Sequence, residues 1–246
     1  MEVLELDLSS RWPERIRETV ASVASEYPEC LALDSSESYR IPDAIRWRIL
    51  DSVADTPIVI YHATKLLEHE IEAVSSSGLQ AVSKEMLTHR IQQALAHNYI
   101  SNEFAGYLLD YGLSSAGDSN REGKISVFTS RLALRRESNF WRQFTFWGGE
   151  ALRDELEQEP EVMKSLKSIG EPCIVRGFVV LGSLDDDDRD SFDLPFNLFK
   201  MLGGGPAEDQ LGGVFSVLSL PAENILGIIT EHLDPSEWTD IAPMSE

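Results

Sequence analysis

Cysteine is scarce. Cys30 and Cys173 are the only two in 246 residues. They lie far apart and form no CxxC pair, which excludes a disulfide framework and fits a reduced compartment. Basic side chains are few as well: 21 Lys and Arg stand against 42 Asp and Glu, for a formal net charge of -21. A phosphate backbone or an anionic membrane surface therefore meets net repulsion. Nucleic acid is an unexpected partner, and so is a membrane. No apolar run reaches the roughly 18 residues of a membrane span. The opening Met1-Glu-Val-Leu-Glu-Leu-Asp7 is acidic where a signal peptide is basic. The expected location is the cytoplasm.

Several motifs are missing too. His69-Glu70 lacks the second histidine of a zinc helix, and the five histidines show no metal-ligand spacing. Gly203-Gly-Gly-Pro206 is followed by no Lys-Ser/Thr and is no P-loop. Asp186, Asp188 and Asp190 lack the glycine and the closing glutamate of a calcium loop. No GxSxG elbow occurs. No metal is expected.

Hydrophobic residues make up 42%, enough for one large domain or for a domain with a small appendage. Residues 1–55 read as a helical lead-in or cap. Pro13 opens one helix, with Ile16, Val20 and Val23 as its stripe, and Pro42 opens a second, given bulk by Ile45, Trp47, Ile49 and Leu50. Residues 56–246 read as an α+β unit. Ile58 to Tyr61 form a strand ending at His62-Ala63-Thr64, and Leu66 to Ser77 a helix with Gly78 as a left-handed C-cap. Ser83 and Ser101 cap two further helices. Strand signals recur at 124–130, 173–181, 213–218 and 225–230. Helices lead and short strands follow, which is α+β rather than a βαβ series.

Three strand or helix ends hold polar groups that suit a ligand. The first is Tyr61-His62-Ala63-Thr64, where a sheet would hold an imidazole able to donate to a ligand hydroxyl. A half-buried histidine satisfied by backbone is the plainer alternative. The second is Phe128-Thr129-Ser130, whose hydroxyls bind a substrate or cap a helix. The third is Phe146-Trp147-Gly148-Gly149-Glu150: a flat aromatic face, two glycines admitting close backbone approach, and a carboxylate. A helix–helix corner would use the same residues. Between them, Arg121, Lys124, Arg131, Arg135, Arg136 and Arg142 face only Glu122 and Glu137, a local +4 that suits a phosphorylated small molecule.

The order of these motifs resembles the ADP-ribosyltransferases of the diphtheria-toxin and PARP-like type, with their H-Y-E arrangement. Tyr61-His62-Ala63-Thr64 looks like the first motif, and residues 59–79 carry most of the likeness. Phe128-Thr129-Ser130 falls where the second motif begins. Its tyrosine is absent, and Thr129-Ser130 is similar to the serine variant of arginine-specific relatives. Glu150 or Glu231 would fill the glutamate role. Glu150 sits nearer the second motif than is usual, and Glu231 follows a strand, as the family's glutamate does.

The resemblance implies a split β-sheet core with a helical N-terminal region and helical insertions. It implies NAD as the small-molecule partner and a protein as one acceptor class. His62 would hold a ribose and the backbone at Ala63 the carboxamide, with Thr64 beside it. Tyr61 or Trp147 would stack on nicotinamide. Thr129 and Ser130 would line the site, and Arg131, Arg135 or Arg136 would meet the pyrophosphate. Glu150, favoured over Glu231, would stabilise the charge on the ribose. Two other classes fit the sequence: a non-catalytic acidic module for a basic protein partner, and a hydrolase acting on a nucleotide.

Overall fold

The computed structural model of the chain describes residues 2–32, 40–113, 123–131, 144–183, 198, 214–217, 219–231 and 233. The architecture is α+β, with antiparallel strands throughout its sheets.

Two helices open the chain, α1 (Glu14–Glu26) and α2 (Asp43–Val53). Both follow a proline whose fixed φ suits a helix start. Ile16, Val20 and Val23 of α1 and Ile45, Ile49 and Val53 of α2 turn inward. Trp47 does not give α2 its inner bulk as expected. It lies two positions from Ile45, off the buried stripe, and is 57% exposed. The inner faces share one hydrophobic cluster with the sheet, including Ile58, Ile60, Val175 and Val179.

Strand β1 (Pro57–Leu66) is the centre of the main sheet. It runs on through His62-Ala63-Thr64 rather than ending there, because the partner strand β4 (Glu171–Val180) pairs with all ten of its residues. Lys65 stays inside the strand because its ammonium reaches the Lys167 carbonyl. The other strands are β2 (Leu79–Gln80), β3 (Ile125–Phe128), β5 (Val214–Val217), β6 (Ser219–Leu220) and β7 (Ile225–Ile229). Their order is β5-β3-β1-β4-β7, with β2 and β6 paired apart.

The remaining described α-helices are α3 (Glu68–Ser77), α4 (Lys84–Ala96), α5 (Asn102–Asp110), α6 (Gly149–Leu156) and α7 (Pro160–Ser168). Ser83 and Ser101 accept from Met86 N–H and Phe104 N–H, so both hydroxyl caps form as the sequence suggests. A second cluster gathers α4 to α7 around Leu87, Ile91, Leu108, Trp147, Leu152 and Leu166.

Gly78 follows α3 with φ +85° but an extended ψ of -178°, so it is no left-handed cap. The chain there turns straight into β2. A Cβ at Gly78 would lie 2.2 Å from the Leu220 carbonyl oxygen and 2.8 Å from Ala222 N. Gly78→Ala is expected to cost about 2 kcal/mol from backbone strain and crowding together, read as a lower midpoint in urea at unchanged slope.

Among the described residues no helix is long and apolar enough to cross a membrane.

Candidate functional site

The ladder between β1 and β3 opens after Tyr61. Strand β1 is paired with β4 along its whole length, yet its pairing with β3 is the single register Tyr61↔Phe128. Continuing that register would set Ala63 opposite Ser126. Instead the Ser126 carbonyl is taken by the His62 ring, 2.8 Å from Nδ1. A carbonyl only accepts, so Nδ1 carries the proton. Burial holds the His62 pKa below its ordinary value. The Ser126 bond opposes this, and the charge of Arg90 adds to the lowering. The ring is therefore a neutral imidazole with Nε2 as an acceptor. This reverses the donor role expected from the sequence. His62 and Thr64 are half-buried, whereas Ala63 is buried.

Beyond the opening, α3 and α4 meet the end of β1. Glu70 accepts from Leu67 N–H at 2.8 Å, closing the first turn of α3. Its two oxygens also hold Arg90 Nε at 2.6 Å and Nη2 at 3.0 Å. The same Nη2 reaches the Lys65 carbonyl at 3.4 Å. Trp147 Nε1 donates to Glu70 at 3.0 Å, and the Arg90 guanidinium lies 5.1 Å from the centre of the Trp147 ring. Burial by itself would raise the Glu70 pKa. The Arg90 charge and the bonds from Arg90, Leu67 and Trp147 outweigh it and hold the carboxyl below its ordinary range.

Trp147 is fully buried in this network. The open aromatic wall expected of it is covered, because the indole is spent on Glu70 and Arg90. Gly148 and Gly149 follow at φ +84° and +62° and turn the chain into α6. Glu150 is the second residue of α6, and its side chain lies outside the described part.

A second polar network lies on the other face of β1. Tyr61 is fully buried and donates to Glu5 Oε1 at 2.5 Å. Burial and the Glu5 and Asp7 charges push its hydroxyl pKa far up. Stacking on a ligand, expected of Tyr61, is closed to it for the same reason. Glu5 also takes Arg176 Nη2 at 3.0 Å, with Arg131 Nη2 at 3.9 Å. Asp7, 4% exposed, accepts from the Ser130 hydroxyl and from Arg131 N–H at 2.6 Å. Burial raises its pKa, and the Ser130 and Arg131 bonds work against the rise. Ser130 and Arg131, read as ligand contacts, are thus engaged with the N-terminal segment. The Thr129 hydroxyl is buried without a hydrogen-bond partner among the described residues.

Arg135 and Arg136 lie outside the described residues. Glu231 stands two residues past the end of β7 and is exposed. Ile228 is in line with His62 across the sheet through Val175, which puts two strand spacings between β7 and β1. The structure therefore brings His62, Ala63 and Thr64 to one opening and Tyr61, Ser130 and Arg131 to another network. Sequence reasoning missed Glu5, Asp7, Glu70 and Arg90. Glu70 was legible as the N3 glutamate of a helix start, whereas the others depend on contacts remote in sequence.

Compared with protein-family models, curated proteins and solved structures, the chain matches none.

Proposed function

We propose that the chain is an NAD-dependent ADP-ribosyltransferase that transfers ADP-ribose to an acceptor and releases nicotinamide. The observation that carries this reading is the opening between β1 and β3 at His62-Ala63-Thr64. A strand whose ladder stops leaves backbone groups for a flat amide, which needs one donor and one acceptor together. The Nε2 lone pair of His62 beside them suits a ribose hydroxyl as donor. Likeness in motif order supports the reading, and the antiparallel α+β core is compatible with it.

In the reaction the C1′–N bond to nicotinamide breaks and its electron pair leaves with the base. The acceptor then bonds to C1′ and gives up its proton. Positive charge grows on the ribose in between. A fixed carboxylate meets that charge best, since it needs no reorganisation as the charge forms. Glu150 is assigned this role. Trp147, three residues before it, is anchored to Glu70 and Arg90, which ties the start of α6 to the end of β1. The helix N-terminus also favours the ionised carboxylate. Among the three arginines named for the pyrophosphate, Arg131 is engaged with Glu5, so the role passes to Arg135 and Arg136.

Calorimetric titration with NAD and assay of released nicotinamide test the reading together. Binding is expected to hold steady from pH 8 to 6.5 and to fall only below that, as His62 gains a proton and Nε2 ceases to accept. Absence of binding at millimolar NAD removes the reading.

A further inference from the structure

The N-terminal segment occupies an edge that β3 leaves. Leu4 pairs in parallel with Ile58, its N–H on the Pro57 carbonyl at 2.8 Å and its carbonyl receiving Val59 N–H at 2.9 Å. Three residues beyond Ile58, the same edge of β1 belongs to β3 at Tyr61↔Phe128. The exit of β3 and the N-terminal segment therefore meet at Tyr61, the residue before His62. At that meeting point carboxylates contact hydroxyl, amide and guanidinium groups, beside the packing of Leu4 and Leu6 in the core. Asp7 holds both the Ser130 hydroxyl and Arg131 N–H, and Glu5 draws in Tyr61 and Arg176.

Burying a carboxylate this deeply is costly, and an apolar pair of similar volume would hold two segments together at least as well. What an apolar pair would not do is fix direction. Two hydrogen bonds accepted by one carboxylate from adjacent residues define the path of the chain to within a bond length. Thr129, the residue just before this clamp, carries the buried hydroxyl without a partner among the described residues. Thr129 directly follows Phe128, whose partner on β1 is Tyr61, the neighbour of His62.

We infer that Asp7 is a positioning residue of the site: through Ser130 and Arg131 it sets the exit of β3, and with it Thr129, relative to His62. The N-terminal segment is then a working part of the site and not an appended cap. The inference rests on the transferase reading, because it assigns Asp7 to that reaction.

The test compares nicotinamide release by the wild-type chain, Asp7→Asn and Ser130→Ala, each with its melting temperature. Asp7→Asn keeps the shape but removes the charge and turns one of the two acceptors into a donor. Ser130→Ala deletes one of the two bonds and decides the matter if Asp7→Asn does not fold. Misplacement of the exit by a fraction of a bond length is expected to lower kcat by about 10- to 100-fold in Asp7→Asn, at a KM within about twofold. Ser130→Ala should lose less in the same sense. Folded variants with wild-type kcat would leave Asp7 purely structural and overturn the inference while the transferase reading stands. A wild-type chain that releases no nicotinamide removes the reading and this role together.

Discussion

Glu150→Gln is expected to lower the rate of nicotinamide release by about 10²- to 10³-fold, the loss typical of one fixed electrostatic contact to a transition state. The substitution keeps the shape of the side chain and removes its charge. NAD affinity should change far less, because the ribose gains its positive charge only as the bond to nicotinamide breaks. Glu231→Gln should be nearly silent. The reason has shifted from the one the sequence offered. Trp147 gives no exposed wall for a ligand. It acts as an anchor, and the anchor ties the first turn of α6 to the end of β1. Glu231 is exposed, on the far side of β4 from the opening. Rates and NAD titrations for both variants separate the assignments. A dead Glu231→Gln beside a normal Glu150→Gln reverses them.

The largest expected loss of stability belongs to Glu70. Its side chain and that of Arg90 are 9% and 18% exposed. Glu70→Gln leaves Arg90 charged and nearly enclosed with no counter-charge, and weakens the bonds to Leu67 N–H and Trp147 Nε1. Breaking such a pair from one side costs about 3–5 kcal/mol, or roughly 6–20 °C in Tm for a chain of this size. The sign with pH follows from the lowered Glu70 pKa. The contribution is whole above the ordinary value of 4.5 and is lost as pH falls through the lower folded value. The Glu26–Arg48 pair is the control. It is also in hydrogen-bond contact, at 2.9 Å, but its side chains are 47% and 45% exposed. Glu26→Gln should leave Tm almost unchanged, since exposed pairs are screened by water and salt. Thermal melts of the two variants at pH 7 and pH 4 check both expectations.

Local signals were read from the sequence with least error. Pro13 and Pro42 open helices because a fixed φ acts on its own residue. Ser83 and Ser101 cap because their partners lie three residues away. The errors come from contacts that local pattern does not carry. His62 and Thr64 look polar and suggest an early end to β1, while β4 pairs across them regardless. Trp147 looked like a ligand wall because tryptophan beside two glycines suits one. Its actual partners, Glu70 and Arg90, are 77 and 57 residues upstream. Glu5 and Asp7 drew no attention because an acidic N-terminus in a chain of net charge -21 looks like more solvated surface. Their partners at Tyr61, Ser130 and Arg176 become neighbours only once the sheet has formed. The position of His62 was legible; its tautomer was not, because that is set by a carbonyl on another strand.

The pairing of β1 with β4 also fixes when the opening can exist. Leu66 and Glu171 are partners at a separation of 105 residues, and Pro57 and Val180 at 123. Strand β1 leaves the ribosome long before the strand that completes it. At roughly 5–20 residues per second, the interval is of the order of 5–25 s, during which Val59, Ile60 and Tyr61 have no β4 to cover one edge. Closing so long a loop is entropically slow and is not rewarded until many contacts form at once. The helices of 68–110 form from local contacts and can be in place first, waiting beside an unfinished strand. A nascent chain that has not yet reached Val180 therefore holds His62 without its partner strand, so the opening matures only once β4 has been made.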